Sequence, residues 1–156
     1  DNHNLQTYHD SVEGLVPRKK IRLRTYPNNN DENLYLEIKH SSIEGRFKTR
    51  KKINTKEFEE KISSGIFDNN YGLCTPKLYV KYKREYLFIK DFRISIDTDI
   101  TYRNYITNYQ CNDDRVIAEL KTSISKKDTD ELIEEFPIQR IRFSKYCFGV
   151  EKLYHL

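Results

Sequence analysis

An α+β fold, in which antiparallel strands curve into a barrel flanked by helices, is predicted for this 156-residue chain by three features. Segment after segment alternates with period two, the mark of strands with distinct faces. Turn-forming clusters at 27–31, 68–70 and 112–114 punctuate those segments. The polar face of strand after strand is almost wholly ionic, with arginine prominent.

The elements follow in order. Residues 20–26 put Lys20, Arg22, Arg24 and Tyr26 on one face and Ile21, Leu23 and Thr25 on the other. Residues 34–40 split into Leu34, Leu36 and Ile38 against Tyr35, Glu37 and Lys39, and Arg46, Lys48 and Arg50 oppose Phe47 and Thr49. A short helix capped by Thr55 carries Phe58 and Ile62, with glutamates in its early turns. Residues 78–90 suit a long strand with a bend, and 92–100 its hairpin partner. There Arg93, Ser95, Asp97 and Asp99 oppose Phe92, Ile94, Ile96 and Ile100. Arg115, Ile117, Glu119 and Lys121 alternate with Val116, Ala118 and Leu120, for about six strands in all. Asp128 or Thr129 caps a helix bearing Leu132, Ile133 and Phe136 and stopped by Pro137. Residues 144–156 place Cys147, Val150, Leu153 and Tyr154 at helical spacing. The tyrosines read as barrel-wall packing rather than stacking platforms.

The length fits one domain over residues 1–156. With 33% charged residues and a mean hydropathy of -0.85, the chain is unusually polar for a folded domain. Its apolar and aromatic content and its few glycines and prolines exclude collagen-like, low-complexity and fully disordered classes. No run approaches a membrane span. Cys74, Cys111 and Cys147 are odd in number and far apart, which supports reduced thiols over a zinc ribbon or a disulfide framework. The absence of Met and the polar opening suggest a piece of a longer protein, with a cytoplasmic location and any membrane attachment through segments outside it.

Arginine presents a planar fork of donors matched to phosphate and stays charged at any accessible pH. Alternation alone does not separate a solvated ionic face from a charged lumen. Topology favours the lumen: if the apolar faces pack on helices, a curved sheet turns its ionic faces inward, onto a polyanion. Glu37, Asp97, Asp99 and Glu119 would then be metal ligands or would orient the cations, and pairing of Asp97 and Asp99 with Arg93 is an equal alternative. Nucleic-acid binding is disfavoured, because acids are interleaved with the bases, the net charge is only +4, and no nucleic-acid motif occurs.

The string Arg18-Lys19-Lys20-Ile21-Arg22-Leu23-Arg24-Thr25-Tyr26, followed by Leu36-Glu37-Ile38-Lys39, resembles the VTC domain. That is the polyphosphate polymerase domain of the vacuolar transporter chaperone complex and its bacterial relatives. The family order continues in Val80-Lys81-Tyr82-Lys83-Arg84-Glu85, Arg93-Ile94-Ser95-Ile96-Asp97 and Ala118-Glu119-Leu120-Lys121. Arg142-Phe143-Ser144-Lys145-Tyr146-Cys147-Phe148-Gly149 is similar to the family's terminal helix motif, and residues 8–14 to the turn before the R-x-R strand.

The resemblance implies a triphosphate tunnel: a barrel, here lacking its first strand, in which ATP or another nucleoside triphosphate passes its terminal phosphoryl group to inorganic polyphosphate. It implies phosphate binding by Arg22, Arg24, Lys39, Arg84, Arg142 and Lys145, by Lys121, and less directly by Lys48 and Arg50. Arg22, Arg24, Lys39, Arg84 and Glu119 would form the catalytic set, with Glu119 helping to hold Mn²⁺ or Mg²⁺. A tri- or polyphosphate hydrolase of the same fold, and a non-catalytic polyphosphate- or nucleotide-binding module, are the alternatives.

Overall fold

The computed structural model describes residues 1–26, 33–89, 92–122 and 141–156. Among them every sheet is antiparallel, and the chain divides into two units, Asp1–Lys77 and Leu78–Leu156.

The first unit opens with helix α1 (Gln6–Glu13), where sequence reading expects only a turn. Its apolar residues are too few to show helical periodicity, and upstream side chains hold its start instead. The Asp1 carboxylate accepts the N–H groups of Thr7 and Tyr8, and Asn2 Oδ1 accepts that of Gln6. Gly14, at φ 80°, ends the helix by donating its N–H to the Asp10 carbonyl. Strands β1 (Arg18–Tyr26), β2 (Asn33–Ser41) and β3 (Arg46–Ile53) form one sheet in that order. Helix α2 (Thr55–Ser64) is capped by Asn54, whose side chain accepts the Glu57 N–H; Thr55 is its first residue, not its cap. A hairpin, β4 (Ile66–Asp68) and β5 (Gly72–Cys74), forms around the turn expected at 68–70, its strands too short to show alternation.

A polar network ties α1, β1 and the hairpin together. The Tyr71 hydroxyl donates to Asp10 at 2.7 Å and accepts the Lys19 N–H at 3.2 Å, while Lys19 Nζ meets Asp68 at 2.8 Å. Burial, with the Asp10 carboxylate as acceptor, pushes the Tyr71 hydroxyl up to about 12.

In the second unit, β6 (Leu78–Ile89) runs along one side of β7 (Phe92–Asn104). Strands β8 (Gln110–Asp113) and β9 (Ile117–Thr122) follow one another along its other side. The predicted bend is a bulge: Lys81 pairs with Thr101 but Lys83 with Thr98, and Asp99 takes up a left-handed backbone at φ 51°. The extra residue reverses the parity of β7. Ser95 and Asp97 are buried before it, and Ile100, Tyr102 and Asn104 after it. This corrects the expectation that Ile100 opposes Asp97.

Helix α3 (Lys145–Tyr154) closes the core around Ile100, Tyr102 and Leu153, with Leu78, Val80 and Phe148 packed against it. The expected Cys147, Val150 and Leu153 are its buried residues, together with Gly149. Only glycine fits there, since a Cβ on Gly149 would lie 2.5 Å from Tyr102 Cδ1.

The expected turn at 27–31 and the helix bearing Leu132, Ile133 and Phe136 lie outside the described residues. Asn112 and Asp113, expected in a turn, belong to β8, and β9 begins at Ile117 rather than Arg115. Among the described residues no sheet closes on itself, and the three cysteines are free thiols. No described helix is long and apolar enough to cross a membrane.

Candidate active site

The register of β1–β3 sets side chains in rows across one face: Lys20, Lys39 and Lys48; Arg22, Glu37 and Arg50; Arg24, Tyr35 and Lys52. Residues paired across antiparallel strands share a face, so the sequence-predicted Arg22, Arg24, Lys39, Lys48 and Arg50 stand together. Glu37 is their centre, at 1% exposure. Its Oε2 accepts Arg22 Nε at 2.5 Å; Lys48 Nζ lies 2.6 Å and Arg50 Nε 3.5 Å from its Oε1. Burial pushes the Glu37 carboxyl up, but the Lys48 hydrogen bond and the Arg22 charge outweigh this and hold it below its ordinary value. The three cations keep roughly two-fifths of their surface in water. Their carboxylate partner is thus hidden while their own surface remains accessible to an anion.

Tyrosine has more to do on this face than wall packing. The Arg50 guanidinium lies 3.7 Å from the Tyr35 ring centre and Arg24 4.5 Å from that of Tyr26. Stacking of this kind fixes the plane of each fork.

The second unit repeats the device around Asp97, which is 2% exposed. Arg84 donates to both of its oxygens, from Nε at 2.5 Å and Nη2 at 2.7 Å, and Lys145 Nζ meets Oδ2 at 2.5 Å. Burial raises the Asp97 carboxyl, and hydrogen bonds from Arg84 and Lys145 more than reverse that, leaving it lowered. The same bond to Asp97 raises Arg84 above its already high ordinary value. Tyr82 lies beneath both cations, 5.2 Å from Arg84 and 5.1 Å from Lys145. The expected alternative of an Asp97–Arg93 pair therefore gives way to Arg84, which faces Asp97 in the register, and to Lys145 from α3. The Asp99 carboxylate meets Lys83 at 2.6 Å; Lys83 neighbours Arg84 in β6 and so points to the opposite face.

Arg142 and Lys145 do not share a helix face as their spacing suggests. The helix starts at Lys145 with Ser144 as its cap, and Arg142 lies ahead of it. Glu119 and Lys121 sit on one face of β9, 3.5 Å apart, each about half exposed. Across β7 they stand opposite Ser95 and Arg93. Among the described residues no three His, Cys, Asp or Glu gather as a metal cage. Glu119 is thus a single half-exposed carboxylate, with Lys121 as its neighbour, and does not fit an all-protein metal site.

Sequence reading missed the role of Tyr82 and the pairing of Asp97 with Lys145, both of which depend on where α3 docks. The model of the VTC domain family matches residues 1–154 of the chain, and no curated protein matches it.

Proposed function

Because this chain belongs to the VTC domain family, which is associated with polyphosphate polymerase activity, we propose that it transfers the terminal phosphoryl group of ATP to inorganic polyphosphate held on its basic strand faces. The observation that carries this reading is the pair of buried carboxylates, Glu37 and Asp97, each surrounded by cations from neighbouring elements. Burying each carboxylate beneath its cations presets their donors toward a polyanion.

Phosphoryl transfer asks for positioning and charge neutralisation in a loose transition state, with no protein nucleophile. Arg22, Arg24, Lys39, Lys48 and Arg50 would hold phosphate groups on the first unit. Arg84, Lys121, Arg142 and Lys145 would do so on the second, Arg84 being firmly oriented by two hydrogen bonds to Asp97. Glu119 would help hold Mn²⁺ or Mg²⁺, which when bound supplies further neutralisation of developing phosphate charge. An anionic phosphate acceptor needs no general base.

The deciding experiment incubates full-length protein with ATP and Mn²⁺ and resolves the products. Long-chain polyphosphate is expected. Free phosphate alone would replace the polymerase by a hydrolase of the same fold, and binding without either product would leave a polyphosphate-binding module.

A further inference from the structure

Ser95 lies in β7 between Arg93 and Asp97, and its cross-strand neighbours on that face are Tyr86 of β6 and Glu119 of β9. It is 2% exposed, and its Oγ is, among the described residues, the buried side-chain polar atom left with no hydrogen-bond partner. A buried hydroxyl without a partner destabilises the free protein, and native folds seldom keep one that nothing uses. Alanine would fill the position without that cost. The side chains beside it are open to solvent, Tyr86 at 51% and Glu119 at 51%, so an anion arriving from this face meets exposed side-chain ends rather than backbone. Around it stand Arg93 and the Arg84–Asp97–Lys145 group, a setting made for negative charge. A hydroxyl there can supply a directed donor to an anion.

We infer that Ser95 is a phosphate-contacting residue, its Oγ–H donating to a phosphoryl oxygen of a bound inorganic triphosphate beside Glu119. This rests on the function proposed above. Among the described residues the donor has no partner in the free protein; in the complex it gains an anionic acceptor.

The test measures the affinity of full-length protein for inorganic tripolyphosphate by calorimetry in the presence of Mg²⁺, together with the melting temperature of the ligand-free protein. Ser95→Ala should melt at or above the unmodified protein while binding roughly tenfold more weakly, the loss of about one hydrogen bond to a charged acceptor. Ser95→Cys, close in volume but a weak donor, should also bind more weakly, which separates donation from size. Unchanged affinity in Ser95→Ala overturns the inference. So does a lower melting temperature or failure to fold, since the hydroxyl would then serve the free structure. If the unmodified protein itself does not bind tripolyphosphate, the proposed function fails, and this inference with it.

Discussion

Glu37 shows how one buried carboxylate organises a basic face. It hides almost completely, while the three cations around it stay partly in water. Glu37→Gln keeps the shape and removes the charge, leaving Arg22, Lys48 and Arg50 to repel one another. Breaking a fully buried ion pair costs about 3–5 kcal/mol, and the partial exposure of these cations brings the expected loss to about 2–3 kcal/mol, read by denaturant melts at neutral pH. Because the folded pKa of Glu37 is lowered, its contribution is present above the ordinary value of 4.5 and is lost as pH falls through the lowered folded value. The unmodified protein should therefore lose more stability than the variant on acidification from pH 5 into that range, and parallel curves would show that Glu37 is not the titrating group. Arg24→Ala tests the opposite balance. The Arg24 guanidinium lies over the Tyr26 ring, a contact worth about 0.5–1 kcal/mol, so its removal should cost stability on that order. Triphosphate binding should weaken roughly ten- to hundredfold in the same variant. Wild-type binding in Arg24→Ala would remove β1 from the site.

At the scale of elements, α3 is the piece that both closes the second core and delivers Lys145 to Asp97. Its close approach to β7 depends on Gly149. Gly149→Ala would force a methyl group into the Tyr102 ring, and overpacking of this kind costs about 1–3 kcal/mol. Since the helix must shift to relieve the clash, Gly149→Ala should also weaken triphosphate binding, although Gly149 is no ligand. A variant as stable and as tight-binding as the parent would show that the α3–β7 approach is not limiting. The two faces differ in how far they could be read from sequence. On β1–β3 the alternation is uninterrupted, so period two puts Arg22 with Arg24, Lys39 with Glu37 and Lys48 with Arg50 on one face of each strand, and the register then brings those faces together. On β7 the bulge at Asp99 shifts parity, and the partner of Asp97 depends on that register and on a helix distant in sequence. Helix α1 was illegible for another reason: its order comes from the side chains of Asp1 and Asn2, and its own residues show no clear apolar stripe.

For the whole molecule, the net charge of +4 understates what a polyanion would meet. The two signs are unevenly placed: in the rows across β1–β3, Glu37 stands among Lys20, Lys39, Lys48, Arg22, Arg50, Arg24 and Lys52, so that face is more positive than the total suggests. Geometry then decides which polyanion profits. Strands about 4.8 Å apart and a same-side repeat of about 6.8 Å along each strand set the cations on a dense grid. Inorganic polyphosphate joins its charges through single bridging oxygens and can load that grid continuously. A single-stranded oligonucleotide separates its charges by sugars and so loads the same grid less densely. In competition against labelled tripolyphosphate at about 0.15 M salt, where bulk attraction between distant charges is screened, inorganic polyphosphate should therefore displace the label at least roughly tenfold better than an oligonucleotide of equal charge. Equal competition at that salt would mean that the faces recognise charge alone, and it would return nucleic-acid binding to consideration.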